Sequence, residues 1–231
     1  MNLLCGVLGV ICTFNGRMDA AFFLMLAASV FDFLDGSAAR LLGAYSDIGK
    51  ELDSLSDMVS FGVLPSLMLY RLMETVAPYG GILCYAPLLI AVFSGLRLAK
   101  FNVDERQSEN FIGLATPACA ILCGSFVYFI GKEPGGIMHG WAASRFFIPA
   151  ASVILSALLV SEIPMFSMKF KKGRKAPKRI LFQRCAFAAI IAAAGILTAI
   201  LKLDWSFAVI LSFTGYILVN VVTAVFCRKR S

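Results

Sequence analysis

Histidine is nearly absent: His139 is the only one in 231 residues. Zinc sites and histidine acid–base catalysis depend on that side chain, so neither is expected to organise the chemistry. Charge is scarce too. Lys, Arg, Asp and Glu make up 15% of the chain, against about 25% in a soluble domain. Hydrophobic residues reach 59%, where a soluble domain has about 45–50% apolar residues. No soluble domain and no cleavable-signal pattern is recognisable. The apolar residues fall into long runs separated by short polar punctuation. That is the pattern of a polytopic α-helical membrane protein, because a helix satisfies its own backbone hydrogen bonds in lipid. The seven cysteines are odd in number, and six lie inside apolar runs, with Cys227 at the end of one. Cys119 and Cys123 share a helix face at i, i+4, but with no histidine nearby they read as small buried residues at helix contacts.

Eight apolar segments are expected to be helical: 2–14, 18–34, 55–73, 80–99, 113–131, 146–166, 183–201 and 205–226. The fold class is therefore an all-α membrane bundle of about eight transmembrane helices in one domain over 1–231. Leu3 to Phe14 is too short to cross a bilayer, which needs about 20 residues. Either the natural chain begins upstream, or this helix is cut back at one end. With the N-terminus cytoplasmic and the spans alternating, 16 of the 21 lysines and arginines face the cytoplasm and five the other side. That asymmetry sets the orientation. The basic stretch MKFKKGRKAPKR (168–179) reads as a loop meeting anionic headgroups, and the net charge of +7 calls for no nucleic acid.

Against this background the stretch DFLDGSAARLLGAYSDIGKELDSLSD (32–57) stands out. Asp32 and Asp35 are spaced i, i+3 at the end of the second segment, and Asp53 and Asp57 i, i+4 at the start of the third. Each pair thus shares one helix face. The short link around Gly43, Tyr45, Ser46 and Asp47 lets the two helices run antiparallel, so that all four carboxylates converge at the cytoplasmic boundary. A hard-oxygen site of this kind suits Mg²⁺ or Mn²⁺, with Ca²⁺ a third candidate. Two such ions about 3.5–4 Å apart could bridge a pyrophosphate. Gly36, Ala39 and Gly49 leave the inner face bare for a phosphorylated ligand, and Arg40 adds a cation suited to a phosphate oxygen. Asp57 sits deepest. Asp47 lacks the spacing and is expected to face solvent. A cation transporter using the aspartates as a transit site is the rival from another class; it predicts acids near mid-membrane.

The order Asp32-x2-Asp35-Gly36-x2-Ala39-Arg40-x8-Gly49-x3-Asp53-x3-Asp57 resembles the signature of the CDP-alcohol phosphotransferase family, with every signature position filled. The resemblance implies a membrane enzyme that moves a phosphatidyl group from a CDP-linked lipid to an alcohol and releases CMP. It places the catalytic helices at about 18–131 and additional spans at about 146–226. It implies metal ligation by Asp32, Asp35, Asp53 and Asp57, with Asp57 also the general base. Gly36, Ala39 and Gly49 would line the nucleotide pocket, supported by Arg40. Asn2 matches a polar position of the first helix in relatives and is a further nucleotide contact.

The stretches DSLSDMVSFGVLPS (53–66), SGLRLAKFNV (94–103) and FIGLATPA (111–118) resemble serine-transferring members. Met58 stands where glycerophosphate-accepting relatives tend to have lysine, and Ala115 where the serine type commonly has proline. The expected substrates are CDP-diacylglycerol and L-serine. The alternatives are glycerol phosphate, an inositol phosphate or an archaeal-type lipid donor. Arg97 and Lys100, spaced i, i+3, are candidates for the lipid phosphate or the serine carboxylate, with Asn102 and Ser60 as further contacts. Snorkelling to the interface is the bland alternative for the two cations, and serines in membrane helices more often bond their own backbone. A homodimer, set in the bilayer of a bacterial cytoplasmic membrane, is the family-level expectation.

Overall fold

The computed structural model describes residues 1–43, 46–77, 81–103, 111–166 and 178–228. Each of the eight apolar segments contains a helix, as the hydropathy pattern predicts, although 146–166 leaves the helix after Val160. The helices are α1 (Asn2–Phe14), α2 (Met18–Leu42), α3 (Asp47–Asp57), α4 (Leu64–Val76), α5 (Leu88–Val103), α6 (Thr116–Lys132), α7 (Ile137–Ala143), α8 (Phe147–Val160), α9 (Lys178–Leu201) and α10 (Ser206–Arg228). Among the described residues, five stretches are long and apolar enough to cross a membrane: Met18–Ala39, Asp47–Val76, Gly81–Val103, Leu181–Leu201 and Ser206–Val225. Three apolar helices are shorter: α1, α6 and α8. The 13 residues of α1 rise only about 20 Å, short of the roughly 30 Å hydrocarbon core. The count of full spans is thus smaller than the count of apolar segments.

The helix boundaries around the acidic stretch also differ from the hydropathy limits. The second segment, bounded by hydropathy at residue 34, continues as helix to Leu42, where Gly43 caps it in the left-handed region (φ 62°) and donates its N–H to the Ala39 carbonyl. The third begins at Asp47, eight residues before its apolar run, with Ser46 Oγ accepting the Gly49 N–H at 3.0 Å. Good helix formers and an N-cap carry both helices beyond their apolar parts. Asp32, Asp35 and Asp53 therefore lie inside helices and not at their ends.

Between α3 and α4 the backbone runs through six residues of π-helix, Met58–Val63. Pro65, at the start of α4, has no N–H to return to the preceding turn and its ring crowds the carbonyl four residues back. Widening the helix there relieves the crowding, and such π-bulges frequently sit at functional sites.

Packing is built around α4 and α6, whose inward faces carry Leu64, Met68, Leu72, Cys119, Cys123 and Val127 in the core. The ends of the bundle differ in chemistry. One end holds the aspartate stretch. The opposite end holds the Lys132–Asp19 ion pair at 2.7 Å, with Lys132 over the Tyr128 ring beside Phe22, Phe23 and Trp205. Such an amphipathic aromatic group suits a membrane–water interface. A two-residue antiparallel ladder, Phe111–Ile112 against Pro164–Met165, ties the segment before α6 to the segment after α8.

The helix α1 fits against the α3–α4 rod along one stripe, Asn2, Gly6, Gly9 and Thr13, all buried. A Cβ on Gly6 would run into Ser60 Oγ and lie 3.0 Å from Ser60 Cα. Overpacking of that kind costs about 1–3 kcal/mol. Gly6→Ala is expected to lower the melting temperature in detergent, and adding Ser60→Gly to recover part of the loss; an unchanged melting curve for Gly6→Ala would show that α1 does not seat here.

Candidate active site

Asp32 and Asp35 project from α2 and Asp53 from α3, and one carboxylate oxygen of each lies within 4.8 Å of the others. Asp35 and Asp53 are exposed and Asp32 is half-buried. Asp35 Oδ1 also accepts the Gly36 N–H at 2.9 Å. The i, i+3 and i, i+4 spacings and the antiparallel helix pair thus converge as the sequence predicts. Asp57 adjoins this triplet, its carboxyl within hydrogen-bonding reach of Asp32. It lies one turn further along α3, more buried than Asp53, within electrostatic reach of Asp32 and Asp53. Its Oδ1 accepts a hydrogen bond from Asn2 Nδ2 at 2.9 Å.

The donor set of the triplet consists of carboxylate oxygens alone. That set fits a small hard cation and not zinc or copper. Three like charges this close repel, and a divalent ion would remove the repulsion. Gly36 and Gly49 are exposed and Ala39 half-buried, so the helix surface around the carboxylates is open. Arg40 follows on the same helix, but its side chain lies outside the described residues, as do Tyr45, Arg106 and the basic stretch up to Pro177. Asp47 is exposed in the first turn of α3.

Arg97 is the buried cation of the site, 8% exposed. Its Nη1 donates to Thr116 Oγ1 at 2.7 Å, its guanidinium carbon sits 6.0 Å from the Phe101 ring centroid, and it acts electrostatically on Asp57. Its Nε is buried without a partner. Lys100 is exposed, as snorkelling predicts. Asn102 is engaged within the protein: its Nδ2 donates to Ser54 Oγ at 3.0 Å and faces Glu51 Oε1 at 3.3 Å, while its carbonyl accepts from Lys50 Nζ at 2.9 Å. It ties the end of α5 to the start of α3. Ser60 is fully buried and donates to the Asn2 carbonyl at 3.2 Å, so it binds α1 and not its own helix. Ser54 does bond its own backbone, donating to the Lys50 carbonyl.

Two partners escape sequence reasoning. Thr116 has no spacing that links it to Arg97, since the two stand on different helices. Asn2 and Asp57 are 55 residues apart and meet only because α1 lies along α3. An apolar cavity of about 840 Å³ between α6, α8 and α10 is separate from this site: Phe126, Phe129, Leu155 and Phe207 are among its lining residues, and none of the aspartates, Asn2 or Arg97 is.

The profile of the CDP-alcohol phosphatidyltransferase family matches residues 1–158. The chain belongs to this family. The match takes in α1 to α8 almost completely, and α9 and α10 lie beyond it. Family membership, with the long apolar helices, makes the chain an integral membrane enzyme and removes the transporter reading; the acids also cluster at one end of the bundle and not midway. Among named relatives, the CDP-diacylglycerol–serine O-phosphatidyltransferase of Bacillus subtilis is 38% identical over 130 residues, 55% of this chain and 72% of the relative. The enzyme of the same name from Mycobacterium tuberculosis is 36% identical over 205 residues, 85% of this chain and 68% of the relative. The archaetidylserine synthase of Methanothermobacter thermautotrophicus is 34% identical over 157 residues, 67% of this chain and 63% of the relative.

Removing the hydroxyl that receives Arg97 leaves a buried guanidinium N–H unsatisfied, at a cost of about 1–3 kcal/mol. Thr116→Val is expected to lower thermal stability by that amount, with Thr116→Ser close to the parent. Equal melting temperatures for Val and the parent would mean that water or another group replaces the hydroxyl.

Proposed function

We propose that this transferase moves the phosphatidyl group of CDP-diacylglycerol to the hydroxyl of L-serine, giving phosphatidylserine and CMP. The observation that carries the reading is the arrangement of the acids: a triplet of Asp32, Asp35 and Asp53 around one point, with Asp57 one turn deeper, beside Asp32 and held by the Asn2 amide. Asp32, Asp35 and Asp53, with an oxygen of Asp57, would hold the divalent cations, Mg²⁺ or Mn²⁺. When bound, the metal supplies charge neutralisation at the pyrophosphate and stabilises the departing CMP. The bare surface at Gly36, Ala39 and Gly49 would admit the cytidine nucleotide, with Arg40 beside it.

Asp57 takes the proton of the attacking hydroxyl. Its depth supports that role, since a base must reach the acceptor and the serine hydroxyl arrives on the inner side of the metal triplet. Arg97 supports an anionic acceptor. It is buried, committed by one hydrogen bond to Thr116, and has donors left for a carboxylate or a lipid phosphate. Planar guanidinium groups bind both anions well. Lys100 stands at the same helix end for the lipid headgroup. The serine-type names of the relatives, bacterial and archaeal, support serine as acceptor. One domain over 1–231, a homodimeric assembly, and an active site facing the cytoplasm of a bacterial membrane complete the proposal. The 16-to-5 distribution of basic residues supports that orientation.

Purified protein in detergent with CDP-diacylglycerol is expected to release CMP with L-serine and not with glycerol 3-phosphate or an inositol phosphate; no release with serine overturns the acceptor. An ether-linked archaeal-type CDP-lipid tested in parallel reads donor preference. EDTA should abolish turnover, and Mg²⁺ or Mn²⁺ should restore it; activity that survives EDTA and extensive dialysis removes the metal. Asp57→Asn is expected to reduce kcat by about 10²–10⁴-fold while CDP-lipid binding persists, and unimpaired turnover would strip Asp57 of its role as base.

A further inference from the structure

We propose that Asn2 is a positioning residue for Asp57: its amide fixes one carboxylate oxygen and leaves the other as the atom that receives the acceptor's proton. The inference rests on the role of Asp57 given above and reassigns Asn2 from the nucleotide pocket to the base.

Three observations carry it. Asn2 is 2% exposed, and its Nδ2 donates to Asp57 Oδ1 at 2.9 Å. A hydrogen bond to an ionised acceptor is stronger than a neutral one, and it holds the carboxylate plane as well as its position. The second observation is a cost. Asn2 Oδ1 is buried with no hydrogen-bond partner, and folding gains nothing from an orphaned amide oxygen. A leucine would fill the same volume without that penalty, so packing does not account for the amide. The third is that α1 is seated by contacts that bypass the amide. Ser60 Oγ bonds the Asn2 main-chain carbonyl, and Gly6 and Gly9 lie against Ser60 and Leu64. The side chain is therefore available to act on Asp57 alone.

The consequence for the reaction follows from the geometry. The acceptor oxygen forms a bond to phosphorus, the bond from phosphorus to the CMP oxygen breaks with its electron pair leaving on CMP, and the hydroxyl proton passes to Asp57 Oδ2. With Oδ1 held by Asn2, Oδ2 keeps a fixed direction toward the acceptor. A carboxylate free to turn about its Cβ–Cγ bond would lose that alignment, and small misplacements at a reacting centre cost large factors in rate.

Asn2→Leu keeps the volume and removes the donor; Asn2→Gln keeps the donor but moves it by one methylene. Asn2→Leu is expected to lower kcat by about 10–100-fold, the loss typical of partners that orient a functional ligand. KM for L-serine and the calorimetric Kd for CDP-diacylglycerol should stay within about threefold of the parent, with the melting temperature unchanged or raised. Asn2→Gln should retain more kcat than Asn2→Leu. The proposal is overturned if Asn2→Leu keeps kcat within about threefold, or if its defect appears in the Kd for the CDP-lipid, which would return Asn2 to the nucleotide pocket. A defect that vanishes when rates are normalised to folded protein overturns it as well. The Asp57→Asn assay separates the two levels. An active Asp57→Asn enzyme removes the base itself, whereas an inactive one beside an unimpaired Asn2→Leu removes only the positioning role.

Discussion

Repulsion among Asp32, Asp35 and Asp53 is the constraint around which the rest of the structure is arranged. Their oxygens converge within 4.8 Å from two helices, at one end of an apolar bundle. Left to themselves, α2 and α3 would splay. They are held by what they share with other helices: α1 lies against both α2 and α3, and Asn102 with Lys50 and Glu51 fastens the start of α3 to the end of α5. The apolar lengths of α2 and α4 then fix the pair over their remaining turns. Electrostatic strain at one end is offset by packing along the whole rod.

The small helix α1 has a larger part in this than its length suggests. It does not reach across a membrane, yet its stripe of Asn2, Gly6, Gly9 and Thr13 seats against the α3–α4 rod so closely that side chains larger than hydrogen are excluded at two positions. That seating delivers a polar side chain to Asp57. The π-helical turn immediately after Asp57 belongs to the same arrangement. It contains Ser60, which receives α1, and it absorbs the distortion that Pro65 imposes. Arg97 approaches from the other side on α5, with Thr116 of α6 as its partner. Asp57 is thus flanked by a neutral donor and a buried cation as well as by Asp32, whereas Asp35 and Asp53 are exposed to solvent. That difference in surroundings is the basis for proposing separate roles, base and metal ligand, for four chemically identical residues.

Much of this was legible in the chain. Each of the eight apolar segments contains a helix, and the convergence of the acidic stretch follows from its spacing. Hydropathy misplaced the helix ends on either side of residues 35–54, because an apolar run ends where polarity begins, while a helix ends where its backbone hydrogen bonds find a cap. Gly43 and Ser46 supply those caps, and the helices project beyond their apolar lengths. Its place beside Arg97 and Lys100 points to Asn102 as a substrate contact, yet its amide is occupied by Ser54 and Glu51. The sequence offers Ser60 as a hydroxyl for substrate or for its own backbone, and in the fold it binds another helix.

The sequence by itself determined everything that depends on one helix at a time. A periodicity of 3.6 residues places Asp32 with Asp35, Asp53 with Asp57 and Arg97 with Lys100, and a run of apolar residues commits the backbone to helix in lipid. Tertiary structure alone decided the relations between helices: Asn2 with Asp57, Arg97 with Thr116, and Asp32 with Asp53. Contacts between helices depend on which residues are small enough to let two backbones meet and on where each helix stops. Neither quantity has a period that can be read along the chain.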